Sequence, residues 1–197
     1  MTPDVFFSAI TETPPSYRRR YWMKTFFVIT VTCPDRPGIV ERVTEVVVAH
    51  GGNWEASRMA HLGGEFAGIV LVSVAADKAD ALAQSLRELA EPPMTVAVKV
   101  TQPPSTSVAG LRHYRFQLTG ADHEGIVHTV AAYLASQGVN VEDMETDVVS
   151  APVTASPLFR MVAQLHVPQR LTDECLRANL ADIADREGVD IEIIASD

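Results

Sequence analysis

Two cysteines in 197 residues are too few for a disulfide framework, and Cys33 and Cys175 lack any metal-ligand spacing. They read as small buried hydrophobes in a reducing compartment. No run of about 18 apolar residues occurs, so no membrane-spanning helix is expected. Positive charge is scarce: Lys and Arg number 16 against 25 Asp and Glu, a formal net charge of −9. Duplex DNA is therefore not expected as a direct partner, because phosphate binding needs a dense basic surface. The one basic cluster, Arg18-Arg19-Arg20 with Lys24, belongs to the N-terminal region. No Gly-x-Ser-x-Gly elbow, P-loop or pair of catalytic carboxylates is present. His123 and His128 are five apart, which does not place them on one helix face as i, i+4 ligands. His50, His61, His113 and His166 are scattered along the chain. Neither enzymatic activity, nor a metal, nor a cofactor is expected.

What is there is said twice. Phe27–Met59 aligns without a gap on Tyr114–Thr146, a shift of 87 positions. Asp35 falls on Asp122, Gly38 on Gly125, Ile39-Val40 on Ile126-Val127, Asn53 on Asn140 and Glu55 on Glu142. Such a repeat fixes the architecture before any propensity argument. It implies two domains, expected at 23–101 and 111–197. Gln102–Gly110 is read as the linker, and residues 1–22 as a loosely docked tail. That tail has no apolar core of a secretory signal. Its arginines leave room for an organellar transit segment, though Asp4 and Glu12 count against one, and a cytoplasmic protein is expected.

Within the first copy, Phe26–Thr32 is rich in β-branched and aromatic residues and reads as a strand buried on both faces. Asp35 is placed to cap the helix that follows, with Pro37 in its first turn. Ile39, Val40, Val43, Val46 and Val47 form an apolar stripe at helical spacing, and Gly51 can stop the helix in the left-handed conformation. Asn53–His61 and Phe66–Ala75 read as strands about a Gly63-Gly64 turn, Lys78–Leu89 as a helix, and Thr95–Val100 as the last strand. The second copy repeats this with His113–Thr119, Gly125–Gln137, Asn140–Val149, Leu158–Val167, Thr172–Glu187 and Asp190–Ile194. Phe66 meets Phe159 at a shift of 93, so an insertion lies in the hairpin Ser150–Pro157. The fold class is α+β: two ferredoxin-like β-α-β-β-α-β units in tandem.

Function is sought where the repeats place the same polar residues in loops. The backbone N–H groups of Arg36–Gly38, at a helix N-terminus, favour an anion such as a carboxylate. Asp35 can meet an ammonium, and Asn53 offers both a donor and an acceptor. If the turn and the asparagine lie close together, they can hold the zwitterionic head of an amino acid. Each residue also has a purely structural reading: Asp35 as a cap, Gly38 for close packing, Asn53 in a turn. In the second copy the matching set is Asp122, Gly125 and Asn140.

Cys33-Pro34-Asp35-Arg36-Pro37-Gly38-Ile39-Val40, followed by Gly51-Gly52-Asn53-Trp54-Glu55-Ala56-Ser57, resembles the ACT domain. That is a small-molecule sensing module attached to many proteins of amino-acid metabolism. The first copy is also similar to the N-terminal module of formyltetrahydrofolate deformylases, whose hydrolase domain is not expected in a chain of this length. Two such units together resemble the glycine cleavage system transcriptional repressor family. The resemblance implies that units pair side by side and bind amino-acid effectors between them. Contacts would come from Asp35, Arg36, Pro37, Gly38 and Asn53, and from Asp122, Gly125 and Asn140. It implies a non-catalytic regulator of a partner protein, sensing glycine or serine, with a homodimer, or internal pairing of the two units, expected. The alternative is a ligand-free dimerising adaptor, or a regulatory subunit of an enzyme of amino-acid or one-carbon metabolism. Two positions depart from the family pattern. Asp35 and Asp122 stand where some serine-sensing members have Asn, and Glu124 stands where the pattern has Pro. Glu124, read as lying in the first helical turn, would compete with an incoming carboxylate, which makes the first unit the better expected site.

The charge balance yields a direct test. In a mobility-shift experiment at physiological salt, the protein alone is expected to give no sequence-selective complex with duplex DNA. Salt-resistant, selective binding would contradict that reading.

Overall fold

The computed structural model describes residues 24–103, 110–150 and 156–196. The expected tail, most of the expected linker and most of the Ser150–Pro157 insertion thus lie outside the described residues. The chain divides into two compact units. The first contains β1 (Lys24–Pro34), α1 (Ile39–Ala49), β2 (Asn53–Leu62), β3 (Glu65–Ala75), α2 (Ala79–Glu88) and β4 (Thr95–Thr101). The second contains β5 (Leu111–Ala121), α3 (Ile126–Ser136), β6 (Asn140–Ser150), β7 (Pro157–Pro168), α4 (Asp173–Glu187) and β8 (Val189–Ser196). Each unit is a four-stranded sheet, ordered β2-β3-β1-β4 in one and β6-β7-β5-β8 in the other. Every pairing is antiparallel. The expected α+β ferredoxin-like order is therefore observed in both units. No helix among the described residues is long and apolar enough to cross a membrane.

The core of the first unit lies between one sheet face and its two helices. Phe27, Ile29, Val31 and Cys33 of β1 pack with Ile39, Val43 and Val47 of α1 and with Leu82 and Leu86 of α2. Helical spacing explains those choices, since residues three and four apart share a face. The helices cover β1 on one face only; on the other, Phe26 is buried and Val28 half-buried, but the rest of the strand is open. Thr30 and Thr32 alternate with the buried residues and are exposed, because both helices pack on the same side. The second unit repeats the arrangement with Phe116 and Leu118 against Val130, Leu134, Leu176 and Leu180. Cys33 is buried as expected, whereas Cys175 is exposed on α4.

Gly63 and Gly64 both have positive φ, 60° and 84°, which a two-residue turn between twisted strands requires. The path of α1 matters more for function. β3 pairs antiparallel with both β1 and β2, so β1 and β2 run the same way. The helix must carry the chain back across the sheet between them. In register, Asn53 lies opposite Ser73, which lies opposite Phe26 near the start of β1. Asp35 follows the other end of β1, where Pro34 pairs with Glu65. Eight residues of strand separate these ends by about 26 Å.

Gly120 pairs with Val189, and a Cβ built on it would lie 2.8 Å from Val189 Cβ and 2.9 Å from its Cα. Val189 is part of the second core and has backbone, not only side chain, in the way. Gly120→Ala is therefore expected to destabilise the second unit by about 1–3 kcal/mol. Urea unfolding monitored separately for the two units checks this, and an unchanged midpoint would contradict it.

Candidate functional site

Both turns that precede the first helix of a unit are built alike. Gly38 is the N-cap of α1 with φ 91°, and Gly125 is the N-cap of α3 with φ 98°. Both are left-handed, a conformation that glycine adopts without a Cβ penalty. No side chain caps either helix, whereas Thr172 caps α4 by accepting a hydrogen bond from the Cys175 N–H. The first-turn amides of α1 and α3 thus present a positive end with no capping side chain in front of it. The Asp35 N–H donates to Gly64 O at 2.9 Å, and the Asp122 N–H to Pro157 O at 3.3 Å. These bonds pin each turn to the start of the neighbouring strand.

Several expectations need correction here. Asp35 does not cap α1; the chain enters the helix through left-handed Gly38, and the Asp35 carboxylate stands 3.8 Å from His61 Nε2. Pro37 precedes the N-cap and is not in the first turn. Glu124 likewise precedes Gly125, and α3 has no acidic residue in its first turn. The acid in that position belongs to the first unit: Glu41 lies in the first turn of α1. Most important, the turn and the asparagine do not meet within a unit. Asp35–Gly38 and Asn53 occupy opposite ends of one sheet, and Asp122–Gly125 and Asn140 do the same.

His123 is held by two carbonyls. Its Nδ1 lies 3.1 Å from Glu124 O and its Nε2 3.0 Å from Glu187 O. Only the imidazolium can donate from both nitrogens, so these carbonyls, Glu187 first, raise its pKa above the ordinary histidine value. His123 is tied to the end of α4 and does not have free donors for a ligand.

At the asparagine end, a polar group sits on the sheet face away from the helices. β2 carries a bulge between Trp54 and Ala56, and β6 one between Val141 and Asp143. The extra residue is a glutamate both times, Glu55 and Glu142. A bulge re-aims the side chain it inserts. In the first unit the buried Ser73 hydroxyl donates to Glu55, and Lys24 Nζ donates to Ser73 Oγ at 3.0 Å and lies 3.8 Å from Glu55 Oε1. Hydrogen bonds from Ser73, then Asn53, hold the Glu55 carboxyl below its ordinary pKa, against a smaller opposing effect of burial. In the second unit Glu142 and His166 take the places of Glu55 and Ser73, Leu111 takes that of Lys24, and His113, in the place of Phe26, stands beside them. Histidines read as scattered are cross-strand partners: His113 pairs with His166, and His166 with Asn140. The repeated glutamate two residues after each asparagine was the sequence signal for this end of the sheet.

A model of the ACT domain matches residues 25–100, and a second ACT-domain model matches residues 118–194. The chain belongs to the ACT-domain family. Its two ACT units stand in tandem, and the domains are of a regulatory class. Among solved structures, an unknown protein from Galdieria sulphuraria is 36% identical, with a TM-score of 0.77, over 88% of this chain and 99% of that one. A candidate glycine cleavage system transcriptional repressor is 18% identical, with a TM-score of 0.65, over 88% of this chain and 98% of that one. The latter likeness concerns the fold. No curated protein was matched.

The lowered Glu55 pKa carries a pH signature for this ACT unit. The stability it contributes is present above the unfolded carboxyl value and is lost as pH falls through the lower folded value. Ser73→Ala removes the largest cause of the shift. The variant is expected to lose about 1–2 kcal/mol near neutral pH, and to lose less than the wild type on acidification. Urea unfolding between pH 7 and pH 3 measures both, and parallel curves would refute the assignment.

Proposed function

We propose that the protein is a non-catalytic regulator that takes up a small amino acid, glycine or serine, and passes its state to a partner protein. One observation carries the reading: the two halves of the candidate site sit at opposite ends of an edge strand. β2 ends both the sheet and the run of paired strands in the first unit. Among the described residues its outer edge has no strand partner, and such an edge recruits another strand. If β2 pairs antiparallel with β2 of a second copy, Asn53 of each copy comes beside the Asp35–Gly38 turn of the other. A split half-site within one unit becomes two complete sites in a homodimer. β6 is a poorer edge for self-pairing, because Glu142, Asp143, Glu145 and Asp147 face their own copies with no cation on that strand.

Each group then has a task. The uncapped N-terminus of α1 receives the ligand carboxylate, helped by the permanent charge of Arg36. Asp35 and the side-chain oxygen of Asn53 accept from the ammonium. In the second unit Asp122, Gly125 and Asn140 occupy the same places, but His123 is held by the carbonyls of Glu124 and Glu187. The first unit is therefore the stronger site, for this reason and not because of Glu124. The net charge of −9 favours regulation through a protein rather than through DNA. Likeness to a candidate glycine cleavage repressor supports glycine as the first ligand to try.

Calorimetric titration with glycine and with serine tests this. At about 100 times its dissociation constant, a ligand stabilises the fold by roughly 2.7 kcal/mol per site. Asn53→Ala is expected to abolish most of that gain, and Asn140→Ala to remove less. Unchanged binding in both variants would remove the site assignment. A dimer in sedimentation that no amino acid stabilises would favour the ligand-free adaptor instead.

A further inference from the structure

We propose that His113, Glu142 and His166 form a zinc-class metal site on the open face of the second sheet. The three side chains come from three adjacent strands, β5, β6 and β7. Their ligand atoms all lie within 4.8 Å of one another. His166 Nε2 stands 2.8 Å from Glu142 Oε2, and the two imidazoles meet edge to face with centroids 4.4 Å apart. A tetrahedral ion with bonds of about 2.0–2.1 Å needs ligand atoms roughly 3.4 Å apart. The observed upper limit of 4.8 Å exceeds that spacing by only about 1.4 Å.

Two further observations separate this group from an ordinary surface ion pair. His166 Nε2 is buried and makes no hydrogen bond, although a carboxylate oxygen is close. The approach is near but not aligned along an N–H, as for a lone pair and a carboxylate that face a common point. The other observation is the internal control supplied by the repeat. The first unit has the same bulged glutamate, Glu55, in the same place. There it is satisfied by Ser73 and by the Lys24 ammonium. In the second unit Leu111 replaces Lys24, and His113 and His166 replace Phe26 and Ser73. One fixed cation is lost, and two nitrogen ligands appear around the same carboxylate.

The ligand set selects the ion. Two imidazoles and one carboxylate suit zinc, nickel and copper, whereas calcium and magnesium prefer all-oxygen sites. Three protein ligands leave one position for water. Asn140, opposite His166, lies beside the site but is not needed for it. The proposal does not depend on the amino-acid reading.

The test uses the full chain, purified without a histidine tag and stripped with chelator. Zinc is titrated calorimetrically, and cobalt by its visible absorption. One ion per chain is expected, with a tetrahedral cobalt spectrum. His113→Phe with His166→Ser writes the first unit's residues into the second and should weaken binding at least about tenfold. Glu142→Gln should weaken it too, and decides the matter if the double variant does not fold. His61→Ala should bind as the wild type does. Absence of binding to the wild type, or undiminished binding in the double variant or in Glu142→Gln, would overturn the site.

Discussion

The crossover of α1 is the constraint from which the functional geometry follows. β1 and β2 flank β3 in an antiparallel sheet and so run in the same direction, and the helix between them has to return the chain to the end where β1 began. The glycine turn at the helix start and the asparagine at the strand start are consequently a strand length apart. No side-chain rearrangement brings them together, because the separation of about 26 Å is set by the backbone. Recognition that uses both ends must draw on two units. On the proposed reading the topology therefore calls for association, and the edge strand β2 supplies the means.

The second recurrent device is the glutamate bulge. A regular strand gives one residue to the open face for each pair of positions, and the inserted residue adds a carboxylate there. A carboxylate on a partly covered sheet face has to be compensated. The two units do so differently. Ser73 and Asn53, with a smaller part from Lys24, give the first a hydrogen-bonded network that favours the ionised form of Glu55. In the second, imidazoles surround Glu142, and imidazoles can release a proton and accept an ion. The backbone is conserved between the two copies of the repeat while the chemistry hung on it has diverged.

The sequence revealed much of the fold because the repeat and the helical stripes are local signals. Val43 and Val47, or Leu82 and Leu86, declare their buried face by spacing alone. The Gly63-Gly64 turn follows from its two positive φ angles. Face coverage was less legible: FFVITVT has the composition of a doubly buried strand, and only Thr30 and Thr32 hint at the open side. The site was legible as a set of residues but not as a place. Asp35 and Asn53 belong to one motif in sequence and to opposite sheet ends in space, which depends on strand direction. His113 and His166 are 53 positions apart and become neighbours only through the register of β5 with β7. Cys175 shows the remaining limit, since nothing local distinguishes a buried cysteine from an exposed one.

Charge at the helix entrances gives the two units different characters. Glu41 lies in the first turn of α1, with a carboxylate oxygen 3.8 Å from the position of a Cβ built on Gly38. It stabilises the helix dipole by about 0.3–1 kcal/mol and opposes a ligand carboxylate at the same end. Arg36 works in the opposite sense, and exposed charge pairs are worth a similar amount. These two influences largely offset each other in the first unit. In the second, His128 replaces Glu41, and His123 is committed to the carbonyl of Glu187. Neither entrance gains selectivity from net charge alone. Discrimination must come from directed donors and acceptors, the helix amides at one end and the asparagine at the other. If the proposed ligand bridges two paired units, occupancy and association are linked, because such a ligand favours the paired state by its own binding free energy.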